Sequence, residues 1–129
     1  MSRRKLRIMA MKIVYQQELG TFNGIYLEYL NLKPEDEMFL KGLINFADTK
    51  KKLIKEINSC LNDWAYERLG ILERSIFLLG FQELLNFDNI PANVSIDEWV
   101  DISKEYCGEE AKKLVNGVLN NYKNMLIKN

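Results

Sequence analysis

Apolar residues recur along most of this chain with the three- and four-residue spacing that lines one face of an α-helix. The spacing predicts a first helix over about residues 3–18 and a last helix from Glu109 until the chain frays near Lys128. Strands find little support, and only two prolines and seven glycines punctuate the sequence. The stripe residues are Leu6, Met9, Ala10, Ile13 and Val14 in the first helix and Leu114, Val115, Val118, Leu119 and Tyr122 in the last.

The interval between these two helices contains signals for several more. A short helix fits Tyr26–Leu30, and Pro34, followed by three acidic residues, predicts the start of a third helix. A fourth can be capped by Asp48 or Thr49, and its lysines are interpreted as a solvated face. The stretch 71–85 is apolar on nearly all sides, which is typical of a helix buried at the centre of a bundle.

A sixth helix is predicted from a capping signal. Ser95 with Glu98 three residues later matches the S-x-x-E capping box, so the helix should start near Ile96 and stop at Gly108. The pattern as a whole predicts an all-α protein of about seven helices in a single domain spanning residues 1–129.

Glycine weakens the interior of a helix, and two interior glycines, Gly80 and Gly117, carry specific expectations. Gly80 lies within the apolar stretch and predicts a close approach between two helices. Asn116 and Gly117 interrupt the last helix. We interpret this pair as a hydrogen-bonding and close-approach position at a second helix crossing.

Composition excludes much chemistry. The chain has no histidine, and its two cysteines, Cys60 and Cys107, are far apart without a CxxC spacing. A histidine-based nucleophile pair, a Cys/His zinc cluster and the phosphate-binding glycine motifs are therefore absent from the sequence. No signal peptide or membrane-spanning run is found either. We expect a soluble, cytoplasmic protein that is not an enzyme and needs no metal or cofactor.

Charge is unevenly distributed. The first twelve residues carry five basic side chains and no acid, although the chain balances 18 basic against 18 acidic residues. Residues 83–110 contain eight acids and one lysine. Because cations that neutralise phosphates release condensed counterions, the basic arm is typical of a nucleic-acid binder; a solvated, disordered tail is the alternative. The basic residues are Arg3, Arg4, Lys5, Arg7 and Lys12.

The first helix also has a second face, which carries Arg4, Ile8, Met11 and Tyr15. An unpaired base could stack on Tyr15 while arginines of the arm hold its phosphates. The alternative is packing against further helices; we prefer it for Ile8 and Met11, whereas both interpretations stay open for Tyr15.

Taken in order, several motifs make the chain resemble the NusB family of bacterial transcription antitermination factors over almost its full length. Each motif is weak alone, but their order and spacing are specific. They are Arg3-Arg4-Lys5-Leu6-Arg7 running on to Tyr15-Gln16, Trp64 with Arg68-Leu69, Glu73-Arg74-Ser75-Ile76, Glu83-Leu84, Ile90-Pro91, Val94-Ser95-Ile96-Asp97-Glu98 and Val115-Asn116-Gly117-Val118-Leu119.

The resemblance implies a NusB-like bundle of two packed three-helix subdomains. It also implies a non-enzymatic factor that recognises single-stranded boxA RNA with the ribosomal protein NusE and joins other Nus factors on RNA polymerase, notably on ribosomal RNA operons. Glu73 stands where the family has an acid facing NusE, and Lys112 where a histidine can be found. The implied RNA-contacting residues are Arg3, Arg4, Lys5, Arg7, Tyr15, Glu110 and Lys112.

Two alternatives have a different functional class. NusB-like domains occur fused in front of RNA methyltransferases, so the chain could be an accessory domain of an RNA-modification system, although no cofactor-binding domain follows Asn129. A helical adaptor that binds only protein is the second. The oligomeric state stays open, because relatives include monomers and homodimers, and a dimer could mask the basic face.

Overall fold

The computed structural model describes residues 1–22, 24 and 29–128, and within them the chain forms six α-helices and no strand. The all-α prediction is confirmed. The short helix predicted over Tyr26–Leu30 lies for the most part, at residues 26–28, outside the described residues. The helices are α1 (Arg3–Leu19), α2 (Pro34–Ile44), α3 (Lys50–Cys60), α4 (Ile71–Asn86), α5 (Ala92–Cys107) and α6 (Glu109–Lys128), with one 3-10 turn at Tyr66–Arg68.

Helix α4 is the centre of the bundle and packs against each of the other five helices. Every residue from Ser75 to Glu83 is buried, as the all-round apolar pattern of this stretch predicts. Helix α1 also packs on α2, whereas α6 packs on α3 and α5, so α4 joins two groups of helices. Within the described part of the chain, no helix combines the length and the apolar character needed to cross a membrane.

The interior glycines Gly80 and Gly117 differ in their surroundings. A Cβ at Gly80 would lie 2.9 Å from Leu119 Cδ2, so the absent side chain lets α6 approach α4 closely, as predicted. A Cβ at Gly117 would meet no atom within 4 Å. Asn116 is exposed and accepts from Asn120 of its own helix. Our interpretation of this pair as a helix crossing is therefore wrong.

The capping-box prediction for α5 is also wrong. The helix begins four residues earlier, at Ala92, with Pro91 as its N-cap residue. The Pro91 carbonyl accepts from the backbone N–H groups of Val94 and Ser95, which places Ser95 inside the helix. The far end agrees with prediction, because α5 stops at Cys107 and Gly108 takes a φ of 97°, a region that favours glycine.

Candidate nucleic-acid interface

The first turn of α1 presents the basic arm in an ordered helix. Ser2 caps this helix, its Oγ accepting from the Lys5 N–H at 3.1 Å. Lys5 is exposed. The Arg3 guanidinium lies 4.2 Å from the centre of the Phe39 ring, a cation–π contact with α2. The alternative of a disordered tail does not agree with this structure, because the arm begins a capped helix.

Arg4 reaches across to α5. Its Nε donates to Glu98 Oε2, and its Nη2 donates to Asp101 Oδ2 at 3.1 Å. Glu98, assigned from sequence to the cap of α5, is therefore the partner of a cation on α1. The basic arm and the acidic part of the chain meet at this contact.

Arg7 is the expected site residue that the structure removes from the surface. It is only 2% exposed, and its Nε and Nη2 each donate to a carboxylate oxygen of Glu83 at 2.8 Å. The expectation that Arg7 contacts RNA phosphates is corrected accordingly, because its guanidinium faces the core. Its position on the buried stripe of α1, three residues before Ala10 and seven before Val14, is the sequence signal for this placement.

Farther along α1, the three remaining residues of its second face differ in their exposure to solvent. Met11 is buried and Ile8 is half-buried, so the packing interpretation is confirmed for both. Tyr15 is 37% exposed and keeps part of its ring available to solvent. Three residues after Tyr15, Glu18 accepts from Tyr66 Oη, which ties the end of α1 to the segment before α4.

The start of α6 carries Glu110, which is exposed, and Lys112, which is half-buried. Helix α5 connects the start of α6 with the basic arm. Arg4 of the arm donates to Asp101 of α5, and α6 starts just after α5 ends at Cys107. Asp101 and Cys107 are six residues apart on α5, which corresponds to about 9 Å along the helix axis. The basic first turn of α1 and the start of α6 thus flank neighbouring stretches of one helix.

A cleft of about 530 Å³ opens where α6 starts. Its walls include Glu73 from the first turn of α4 and Glu110 from α6, so the structure brings these two predicted residues together. Burial, with the nearby charge of Glu73, raises the pKa of the Cys107 thiol in this cleft to about 11.

Trp64 forms another wall of the cleft and is 56% exposed. Trp64 belongs to one of the sequence motifs but is not among the residues predicted for a site. The signal was its position directly after Asn62 and Asp63, in a polar turn between two helices, where a tryptophan has little to pack against. Arg68 and Lys113 line the same cleft and give it mixed charge.

Comparison with known proteins gives one family. The model of the NusB family matches residues 4–124. The transcription antitermination protein NusB of Methylacidiphilum infernorum is 35% identical over 125 residues, which cover 92% of this chain and 87% of that relative. A structure of T. maritima NusB is 25% identical, with a TM-score of 0.84 over 96% of this chain and 92% of that one. A crystal structure of antitermination factors NusB and NusE in complex with dsRNA is 27% identical, with a TM-score of 0.81 over 95% of this chain and 96% of the matched chain.

Proposed function

This chain belongs to the NusB family of non-enzymatic transcription antitermination factors, and on that premise we propose that it recognises single-stranded boxA RNA together with NusE. In this proposal it works in the cytoplasm and joins the antitermination complex with RNA polymerase and other Nus factors, notably on ribosomal RNA operons. The solved complex of NusB with NusE and dsRNA supports the two kinds of partner.

The observation that carries the proposal is the ordered basic turn of α1 beside α5, with the start of α6 farther along that helix. Lys5 and Lys112 supply cations for phosphates, and the exposed Tyr15 supplies a ring for a base. Glu110 carries negative charge, so its role is to accept from base or sugar donors rather than to neutralise phosphate. The proposed RNA surface is Arg3, Arg4, Lys5, Tyr15, Glu110 and Lys112, without the buried Arg7.

The proposed NusE contact lies at the cleft. Glu73 lines it, and a carboxylate there suits a basic ribosomal protein. Because Glu110 also lines the cleft, RNA and NusE would meet at neighbouring points of the molecule. This adjacency provides a physical reason for NusE to strengthen RNA binding, since each partner would hold the other in place.

A filter-binding titration tests the proposal. The protein is mixed with NusE and titrated against boxA-like RNA and a scrambled RNA of equal length. We expect tighter binding of the boxA-like RNA and a steep loss of affinity with added salt. Equal binding of the two RNAs would contradict specific recognition, and no binding of either would leave only the protein-binding adaptor.

The lysine of the first turn can be tested separately. Lys5→Ala should weaken binding of both RNAs and reduce the slope of log affinity against log salt by about 0.7, the value for one phosphate contact on a single strand. Lys51→Ala is the matched control, because Lys51 is an exposed lysine on α3, a helix that contributes no residue to the proposed surface. Equal effects of the two substitutions would remove Lys5 from the RNA surface.

A further inference from the structure

Arg4 differs from its neighbours in the first turn because two carboxylates of another helix hold it. Glu98 accepts from Nε and Asp101 accepts from Nη2 at 3.1 Å. A guanidinium has five N–H donors, so three remain after these contacts. Arg4 therefore sits in the proposed RNA surface with part of its hydrogen-bonding capacity already used within the protein.

The two carboxylates hold Arg4 with different firmness. The Glu98 side chain is 26% exposed, whereas that of Asp101 is 58% exposed, and Arg4 itself is 38% exposed. Ion pairs open to solvent contribute only about 0.2–1 kcal/mol, so the contact with Asp101 is readily exchanged. Glu98, which is less exposed, keeps the guanidinium against α5 while that exchange takes place.

A phosphate is a direct competitor for the same donors. It presents charged oxygens that accept from a guanidinium in the same geometry as a carboxylate. Asp101 offers one such oxygen to Nη2 within the protein. An RNA strand that uses this donor must displace Asp101, and it must approach the carboxylate charge that it displaces.

We propose that Asp101 limits the affinity of the basic first turn for RNA by occupying Arg4 in the absence of RNA, with Glu98 as the fixed side of the contact. The inference rests on the proposed RNA-binding function and adds a specificity-determining residue to it. As a consequence, an RNA of arbitrary sequence gains little binding affinity from Arg4. A ligand held by further contacts, including those of the protein partner, is the one that displaces Asp101.

The test is the affinity of Asp101→Asn for a short single-stranded RNA of boxA-like sequence and for its scrambled counterpart. Removing the competing charge should tighten binding of the scrambled RNA about two- to fivefold, which is the equivalent of a solvent-exposed ion pair. The salt slope should steepen by up to about 0.7, because Arg4 then becomes a full phosphate contact.

The control variant is Asp97→Asn. It makes the same change on an exposed position of the same helix, and Asp97 makes no ion pair with Arg4. We expect a smaller effect from it than from Asp101→Asn, and in a protein that already carries Arg4→Gln we expect Asp101→Asn to act no more strongly than Asp97→Asn. A urea-denaturation cycle of Arg4→Gln and Asp101→Asn measures the ion pair itself without RNA.

The outcomes distinguish a failure of the competition at Arg4 from a failure of the proposed function. If the unaltered protein binds RNA but Asp101→Asn and Asp97→Asn act alike, net charge explains the result and the competition is refuted. Weaker binding by Asp101→Asn would also refute it and would make Asp101 a residue that positions Arg4 for RNA. If no variant binds either RNA at low salt, with NusE absent or present, the proposed function fails, and the inference fails with it.

Discussion

At the scale of single residues, Glu83 is the most highly connected polar group of the core. It is fully buried and accepts from three side chains on two helices. Arg7 of α1 donates twice at 2.8 Å, Ser95 of α5 donates at 2.5 Å and Trp99 Nε1 of α5 donates at 2.9 Å. A charge taken out of water is tolerated when it is paired and hydrogen-bonded in this way.

Glu83→Gln should therefore destabilise the fold strongly. The amide keeps the shape of the side chain but leaves the buried Arg7 cation without a counter-charge, a loss of about 3–5 kcal/mol in the free energy of unfolding. Urea denaturation measures it, with Glu105→Gln as control, because Glu105 is an exposed acid on α5. A loss no larger than in the control would contradict the stabilising role of the pair.

The same pair shows where prediction from sequence stops at this scale. Arg7 was assigned to the RNA surface because it lies among basic residues, although it also falls on the buried stripe of α1. Glu83 lies just after the apolar run 76–81 of α4, inside the buried part of that helix, which is a signal for a buried partner. The sequence does not identify Arg7 and Glu83 as partners, because 76 residues separate them and only the packing of α1 on α4 brings them together.

The Cys107 thiol is harder to ionise in the folded protein than in the unfolded chain. Its pKa is raised to about 11 by burial and by the charge of Glu73, so folding favours the thiol and disfavours the thiolate. The folded protein therefore loses stability as pH rises from the unfolded pKa of about 8.5 towards 11. In Cys60→Ser protein, iodoacetamide alkylation of Cys107 should accelerate about tenfold per pH unit from pH 8 to 10 without levelling off.

Urea-unfolded protein provides the reference for this measurement, since its alkylation rate should level off near pH 8.5. Glu73→Gln should move the folded profile to lower pH, because the neighbouring negative charge is removed. A folded profile that coincides with the unfolded one would show that Cys107 is not shielded in this way.

At the scale of elements, the contact between α4 and α6 depends on one missing side chain. Gly80→Ala should destabilise the protein, because its Cβ would lie 2.9 Å from the fully buried Leu119. Overpacking of this kind costs about 1–3 kcal/mol, against a gain of about 1 kcal/mol in helix propensity. Gly117→Ala is the matched substitution on α6 and should stabilise by up to about 1 kcal/mol, because the site is open. Thermal unfolding distinguishes them, and a stabilised Gly80→Ala protein would show that Leu119 can move aside.

Helix boundaries show which features of the helices can be predicted from sequence. The apolar stripes predicted α1, α4 and α6 because burial on one face or on all faces repeats many times along each helix. The start of α5 was predicted four residues late, since Ser95 and Glu98 imitate a capping box. Both side chains instead bond to other helices, Ser95 to Glu83 and Glu98 to Arg4. Long-range contacts thus overrode a local signal.

At the scale of the whole molecule, the uneven charge along the sequence becomes two adjoining surfaces. The basic turn of α1 touches the acidic face of α5 through Arg4, so a chain of zero net charge still has a basic and an acidic surface side by side. The basic and the acidic segments could be predicted from the sequence. Their contact could not be predicted, because it depends on how α1 and α5 are placed around α4.

Two adjoining surfaces should be separable by substitution. Glu73→Gln at the cleft is expected to weaken NusE binding about ten- to hundredfold, the equivalent of about 1.5–3 kcal/mol for one hydrogen bond to a charged group, while RNA affinity without NusE stays unchanged. Lys5→Ala is expected to do the reverse. Isothermal titration with NusE and filter binding with RNA measure the two affinities.

Glu35→Gln, which changes an exposed acid on α2, is the control for NusE binding. NusE binding as tight for Glu73→Gln as for Glu35→Gln would place the protein partner elsewhere, and loss of both affinities in Glu73→Gln would mean that RNA and NusE share one surface.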